Sequence, residues 1–123
     1  MGDYILLKKT ERLANIMFEV VSSENRSMDE KTKQERLQAS KDLRDSMNDF
    51  REDLDSRKEE LNVSFMNYRS NESEGFYSGF FGKIEGWFVI KILNFRKKKY
   101  EEYERLERQI TMKLTGIIYR LSI

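Results

Sequence analysis

The chain contains no proline, no histidine and no cysteine in 123 residues. Average usage would place roughly six prolines in a chain of this length, and their absence leaves helices unbroken. Without histidine and cysteine, the chain lacks the commonest general base, the commonest metal ligand and the strongest nucleophile. We therefore expect a protein that is not an enzyme, with no metal, no cofactor and no small-molecule substrate.

Other absences bear on location and on the class of partner. The formal net charge is only +1, which gives no general reason to expect nucleic acid as a partner. No uncharged run reaches the length of a membrane-spanning helix. A short apolar patch at residues 5–7 precedes Lys8 and Lys9, the reverse of the order in a secretory signal. These features predict a cytoplasmic protein, although export without a signal stays open.

What the chain does contain is a helical pattern of apolar residues. Charged residues make up 37% of the chain and hydrophobic residues 38%. The apolar residues recur at intervals of three and four, the period of a helix. The sequence therefore predicts one all-α domain spanning residues 1–123, because a chain of this length suits one modest core.

Three helices are predicted, at about residues 4–21, 28–70 and 77–121. The first has Leu6, Leu13, Met17 and Val20 along one side, with Ile16 beside them, and a polar run follows. Ser27 and Glu30 have the spacing of a capping box, which indicates where the second helix begins. Residues 70–75 are rich in turn-forming types and separate the second helix from the third. The later part of the third helix has an apolar stripe at helical spacing: Tyr103, Leu106, Ile110, Ile117 and Leu121.

The second and third helices are nearly equal in length, which predicts a long, coiled-coil-like antiparallel hairpin. Folding about residue 75 pairs residues whose numbers add to about 149, so that Leu43 meets Leu106, Leu54 meets Phe95 and Leu61 meets Phe88. In this register Phe50 falls near Lys99, a level that does not fit the apolar pairing. The basic run at 96–99 would then face acidic residues at 49–55. The shorter first helix would cover the open end of the hairpin, leaving the turn end, 63–95, without a third helix.

The turn end holds the most unusual segment, GFYSGFFGKIEGWFVIKILNF at residues 75–95. As a helix it has three faces, with Tyr77, Phe81, Ile84, Phe88 and Ile92 expected to face the second helix. The other two faces contain the predicted partner-binding residues, a glycine strip and an aromatic strip: Gly75, Gly79, Gly82 and Gly86; Phe76, Phe80, Trp87 and Ile90. Alternatively, some glycines lie in a longer turn, and the aromatic residues form the core of the chain or of a homodimer.

The leading hypothesis is a non-enzymatic adaptor or chaperone-like module that docks a partner helix or its own copy on this end. The glycine strip would provide a groove and the aromatic residues the anchors, with a homodimer as the expected form of self-association. A second hypothesis is a peripheral membrane-binding protein that inserts residues 76–95. A weaker third is a small inhibitor that masks a partner's binding site with its mildly acidic second helix.

Overall fold

The chain folds into three α-helices. The computed structural model describes residues 2–24 and 26–123, and neither range contains a β-strand. The helices are α1 (Gly2–Glu24), α2 (Glu30–Ser73) and α3 (Gly79–Ser122). The prediction of an all-α chain with three helices is confirmed, and each helix end lies within one to three residues of the predicted position.

The start of α2 differs from the predicted capping box. The backbone N–H of Thr32 donates a hydrogen bond of 2.7 Å to the Asp29 carboxylate, so Asp29 is the N-cap. The hydroxyl of Ser27 instead donates to the carbonyl of Glu24, at the end of α1. Glu30 accepts a hydrogen bond from Gln34, one turn further along α2, so the capping-box prediction is wrong.

The helices form two compact units. A three-helix unit contains Met1–Glu52 and Tyr103–Ile123, and therefore α1 with parts of α2 and α3. A two-helix unit contains Asp53–Glu102, and therefore the remaining parts of α2 and α3 with the connector between them.

In the three-helix unit, α3 supplies the largest share of the core. The predicted stripe of Tyr103, Leu106, Ile110, Ile117 and Leu121 is buried, as the helical spacing requires. Side chains of α1 also contact this part of α3, because Lys113 and Arg120 both lie over the ring of Phe18, at 4.7 and 4.4 Å. The core of the unit comprises Leu7, Thr10, Ala14, Val21, Ser40, Met47, Tyr103, Leu106, Glu107, Ile110, Leu114, Ile117 and Leu121.

The face that α1 buries is one residue away from the predicted face. Leu7 and Ala14 are buried, whereas Leu6 and Leu13, which were expected inside, are exposed. Thr10 shares the buried face, and its hydroxyl donates a 2.8 Å hydrogen bond to the carbonyl of Leu6. The hydroxyl is therefore satisfied within its own helix, which removes the main cost of burying it.

Contacts between α2 and α3 in this unit also depart from the predicted register. The ring of Phe50 lies 6.3 Å from that of Tyr103 in an edge-to-face arrangement, whereas the prediction placed Phe50 beside Lys99. Next to it, the guanidinium of Arg51 contacts the buried carboxylate of Glu107 at 2.7 Å. The Arg51–Glu107 ion pair and the Phe50–Tyr103 ring contact thus join α2 to α3 at neighbouring positions of both helices.

In the two-helix unit, α3 presents a different side to the interior from the one expected. Leu54 and Leu61 of α2 are buried as predicted, but their expected partners Phe95 and Phe88 are exposed. Leu93 and Gly86 are the buried positions of α3 in this unit. At about 100° per residue, position 93 lies about 200° around the helix from position 95. The buried side of α3 is therefore nearly opposite to the predicted side.

Candidate functional site

The connector between α2 and α3 begins with a well-formed helix stop. The N–H of Phe76 donates to the carbonyl of Asn71 at 3.0 Å, and the N–H of Gly75 donates to that of Glu72 at 3.1 Å. These two bonds define a Schellman motif, which requires a left-handed residue at the position of Gly75. Gly75 has a φ of 85°, which glycine adopts without steric cost.

The same connector positions the first residue of α3. Both the backbone N–H and the hydroxyl of Ser78 donate to the carbonyl of Gly75, at 3.1 and 2.7 Å. Gly79 follows with a φ of 77° and begins α3. Gly75 therefore lies in the turn, as the alternative interpretation held, and Gly79 is the left-handed first residue of α3. Neither has the helical backbone that the predicted strip of four glycines required.

The other two glycines of that strip face the connector. A Cβ on Gly86 would lie 2.9 Å from Cγ of Tyr77, and a Cβ on Gly82 would lie 2.9 Å from the Tyr77 carbonyl carbon. Both distances are shorter than atoms can approach, so the glycines allow Tyr77 to pack directly on the backbone of α3. The groove expected for a partner helix is thus filled by the chain's own Tyr77.

Tyr77 is held on its other side by α2. Its ring stacks on that of Tyr68, with centroids 5.2 Å apart and planes inclined by 26°. Burial raises the pKa of the Tyr68 phenol above its ordinary value, and the neighbouring Glu72 carboxylate raises it further. The two tyrosines and the two glycines thus pack together at the end of the two-helix unit that contains the connector.

With its inner side occupied by Leu93 and the glycines, α3 turns a continuous apolar surface outward. Phe81 is 82% exposed and Phe80 is 74% exposed. At about 100° per residue, the exposed apolar side chains cover an arc of about 140°. We call this surface the aromatic face, and its members are Phe80, Phe81, Ile84, Trp87, Phe88, Ile92 and Phe95.

Two aromatic pairs and one cation lie on the aromatic face. Trp87 and Phe88 contact edge to face, with centroids 4.9 Å apart, and Phe80 and Phe81 do the same at 5.4 Å. The Lys91 ammonium lies 4.3 Å from the Trp87 ring centroid, so the ring covers part of the lysine while its charge stays at the surface. Trp87 remains 53% exposed.

A basic segment follows the aromatic face along α3. Residues 96–99 are all exposed. Across the residues that the structure describes, Arg96, Lys97 and Lys98 take part in no ion pair. Asp53, one of the acidic residues expected opposite them, pairs with Arg57 of its own helix at 2.8 Å. These three cations therefore do not form ion pairs with the acidic residues that were expected to face them.

The structure divides the eight predicted partner-binding residues. Phe80 and Trp87 lie together on the aromatic face, and Phe76 is exposed in the connector. Ile90 is half-buried, at one side of the face. Gly82 and Gly86 face Tyr77, whereas Gly75 and Gly79 are exposed in left-handed conformations, so the four glycines do not form one strip. Sequence reasoning missed Phe81, Ile84, Phe88, Ile92 and Phe95, which it had placed inside. The only sequence feature that could have indicated their exposure is that apolar residues occur on every side of the helix over residues 80–95.

Each unit also contains a groove lined by other residues. One, of about 360 Å³ in the two-helix unit, is lined by Asn62, Phe65, Met66, Arg69 and Lys97. The other, of about 530 Å³ in the three-helix unit, includes Ala14, Phe18, Ile110 and Met112 among its lining residues. Both are open depressions between helices.

Neither the described residues nor comparison with known proteins points to a metal site, a membrane-spanning helix or a relative. No group of His, Cys, Asp and Glu side chains with the geometry to hold a metal ion occurs in residues 2–24 and 26–123. None of the helices in those ranges is long and apolar enough to cross a bilayer. The chain matches no protein family model, no curated protein and no solved structure.

Proposed function

We propose that this chain is a non-enzymatic binding protein that docks on a membrane surface through the aromatic face of α3. The observation that carries the proposal is the exposure of seven large apolar side chains on one arc of one helix. Large contiguous apolar patches on a protein surface mark binding sites, because their exposure to water is unfavourable. Burying a Phe or Ile side chain contributes about 1.5–3 kcal/mol, so several such side chains suffice for binding.

The shape of the surface favours a lipid layer over a partner helix. A partner helix needs a groove, and the glycine positions that would form one are filled by Tyr77. What remains is the convex outer side of a helix, which suits insertion into a headgroup layer. Tryptophan is enriched at that depth, and Lys91 beside Trp87 can extend its ammonium to the polar side.

The proposal includes an antiparallel arrangement of the two helical segments in the two-helix unit. It is supported by the five-residue connector between Ser73 and Gly79 and by the stacking of Tyr68 on Tyr77 across it. In this arrangement the α2 segment lies behind the aromatic face. It supports α3 from the inner side while the outer side enters the lipid.

Vesicle flotation combined with tryptophan emission tests the proposal. Trp87 is the only tryptophan, so any change in emission reports on the aromatic face. With vesicles containing phosphatidylserine, we expect flotation and a blue shift of Trp87 emission. The double variant Phe81→Ser, Phe88→Ser should lose both, because it removes two exposed aromatic side chains without touching the core.

The matched control is Met112→Ser, Tyr119→Ser, which removes two exposed apolar side chains of the three-helix unit. This variant should float like the original chain. Circular dichroism should show unchanged helix content in both variants. Absence of flotation with every vesicle composition, or equal loss in both double variants, would contradict the proposal.

A second candidate is the docking of a protein, either a partner helix or a second copy of the chain. The 360 Å³ groove favours it, because Phe65 and Met66 there offer a concave apolar surface for one anchoring side chain. Sedimentation equilibrium without lipid distinguishes the two candidates. Self-association that buries Trp87 and is abolished by Met66→Lys would favour protein docking, whereas a monomer with exposed Trp87 would not.

A further inference from the structure

We infer that the basic segment after the aromatic face selects anionic lipid, so that the surface recognised is a bilayer rich in negatively charged headgroups. This inference rests on the proposed function and names the lipid class. It is carried by the exposed cations Arg96 and Lys98, which take part in no ion pair within the described ranges.

The charge of this part of α3 is strongly one-sided. Residues 79–99 contain six cations and a single anion, Glu85, although the whole chain is nearly neutral. Lys91 lies within the aromatic face, over the ring of Trp87, and Arg96 lies beside the face. Lys97 instead lines the groove with residues of α2. Lys98 follows Phe80 by 18 residues, about five full turns, so it continues the line of the face along the helix. An apolar face followed by cations complements an acyl layer beneath anionic headgroups.

The cations also distinguish lipid from a second copy. A second chain offers no acidic complement to the basic segment. A parallel pairing of two aromatic faces brings the two basic segments together, and an antiparallel pairing places each beside residues 79–83, which contain no anion. Charges of one sign that approach within a few ångströms repel, and burial of the apolar face strengthens this repulsion. An anionic bilayer supplies the opposite charge over a wide surface, without a need for a fixed register.

The test compares phosphatidylcholine vesicles with and without phosphatidylserine, using Trp87 emission to measure binding. We expect tighter binding to the vesicles with phosphatidylserine, and a steep loss of that advantage as salt is added. Each cation near an anionic surface contributes roughly fivefold in affinity, so Arg96→Gln, Lys98→Gln should weaken binding about 25-fold.

The matched control removes two exposed cations of the three-helix unit, as Arg12→Gln, Lys41→Gln, with the same change in net charge. It should bind within about twofold of the original chain, since these residues lie outside the proposed surface. Equal binding to both vesicle types, or equal weakening in the two double variants, would overturn the inference while leaving membrane docking intact. Failure to bind either vesicle would instead refute the proposed function.

Discussion

One carboxylate oxygen of Glu107 accepts two hydrogen bonds from Arg51, at 3.0 Å from Nε and 2.7 Å from Nη2. The hydroxyl of Thr111 donates a third to the same oxygen at 2.9 Å. The side chain of Glu107 is only 2% exposed, whereas that of Arg51 is 46% exposed. A buried carboxylate on α3 is thus satisfied by a cation that reaches it from α2, and this pairing favours one alignment of the two helices.

Removing Arg51 should destabilise the three-helix unit. Leaving a buried charge without its partner costs 3–5 kcal/mol, and because water can replace part of the half-exposed guanidinium, we expect about 2 kcal/mol for Arg51→Ala. The control Lys41→Ala, at an exposed position of α2, should change stability by less than about 0.5 kcal/mol. Urea denaturation measures both. Adding Glu107→Gln to Arg51→Ala should recover stability, and a further loss would contradict this account.

Two glycine-to-alanine substitutions should have opposite effects. Gly75→Ala forces a Cβ into a left-handed conformation and should cost about 1–2 kcal/mol. Gly116 lies within α3, and a Cβ there would be 3.6 Å from Cε2 of Phe18, an ordinary contact. Gly116→Ala should therefore stabilise the protein by about 0.5–1 kcal/mol. Thermal denaturation followed by circular dichroism measures both shifts, and shifts of the same sign would refute the comparison.

The contact between Gly86 and Tyr77 should appear as a coupling in a double-mutant cycle. Gly86→Ala places a Cβ 2.9 Å from the Tyr77 ring and should cost roughly 1–3 kcal/mol. In a Tyr77→Ala background the same substitution should stabilise α3 by about 1 kcal/mol, because alanine is the better helix former. If the effect of Gly86→Ala is the same in both backgrounds, Tyr77 is not the neighbour that requires glycine.

The N-cap of α2 should make stability depend on acid pH. The hydrogen bond from the backbone N–H of Thr32 lowers the pKa of the Asp29 carboxyl, and the Thr32 side chain and Arg36 lower it further. Because the folded-state pKa is lower than the unfolded one, the ionised cap stabilises the folded chain above the unfolded pKa of about 3.9. That contribution is lost as pH falls through the folded pKa.

Comparison of Asp29→Asn with the original chain isolates this effect. Asparagine is an equally good N-cap without a titrating charge, so the variant should retain stability near neutral pH. Its free energy of unfolding should fall less than that of the original chain as pH drops below about 4. Parallel curves for the two proteins would contradict the assignment of Asp29 as the cap.

The sequence predicted helix positions well because the signals for them are local. Continuous helical periodicity without proline gave α2 and α3, and the polar and glycine-rich interruptions gave the connectors. The exact cap was harder to predict. Ser27 and Asp29 both precede α2 and both can cap it, and the hydrogen bond to Thr32 shows which residue does.

The buried side of a helix was predicted correctly where polar residues occupy its other sides. It was predicted wrongly where apolar residues occur on all sides. From Tyr103 to Leu121, charged side chains occupy the outer side of α3, so the apolar stripe was unambiguous. Over residues 80–95 the apolar side chains surround the helix, and periodicity alone cannot select a side. In α1, neighbouring pairs such as Leu6 and Leu7 leave the same ambiguity.

The amino-acid sequence by itself determined that this protein is helical, where its helices stop, and that residues 75–95 carry an excess of aromatic and glycine residues. These properties follow from backbone propensity and from the period of the apolar pattern, which are local. Only the tertiary structure decided which side of α3 is buried. Tyr77 fits against Gly82 and Gly86 because they have no Cβ, and this packing accompanies the outward exposure of Phe81, Phe88 and Phe95.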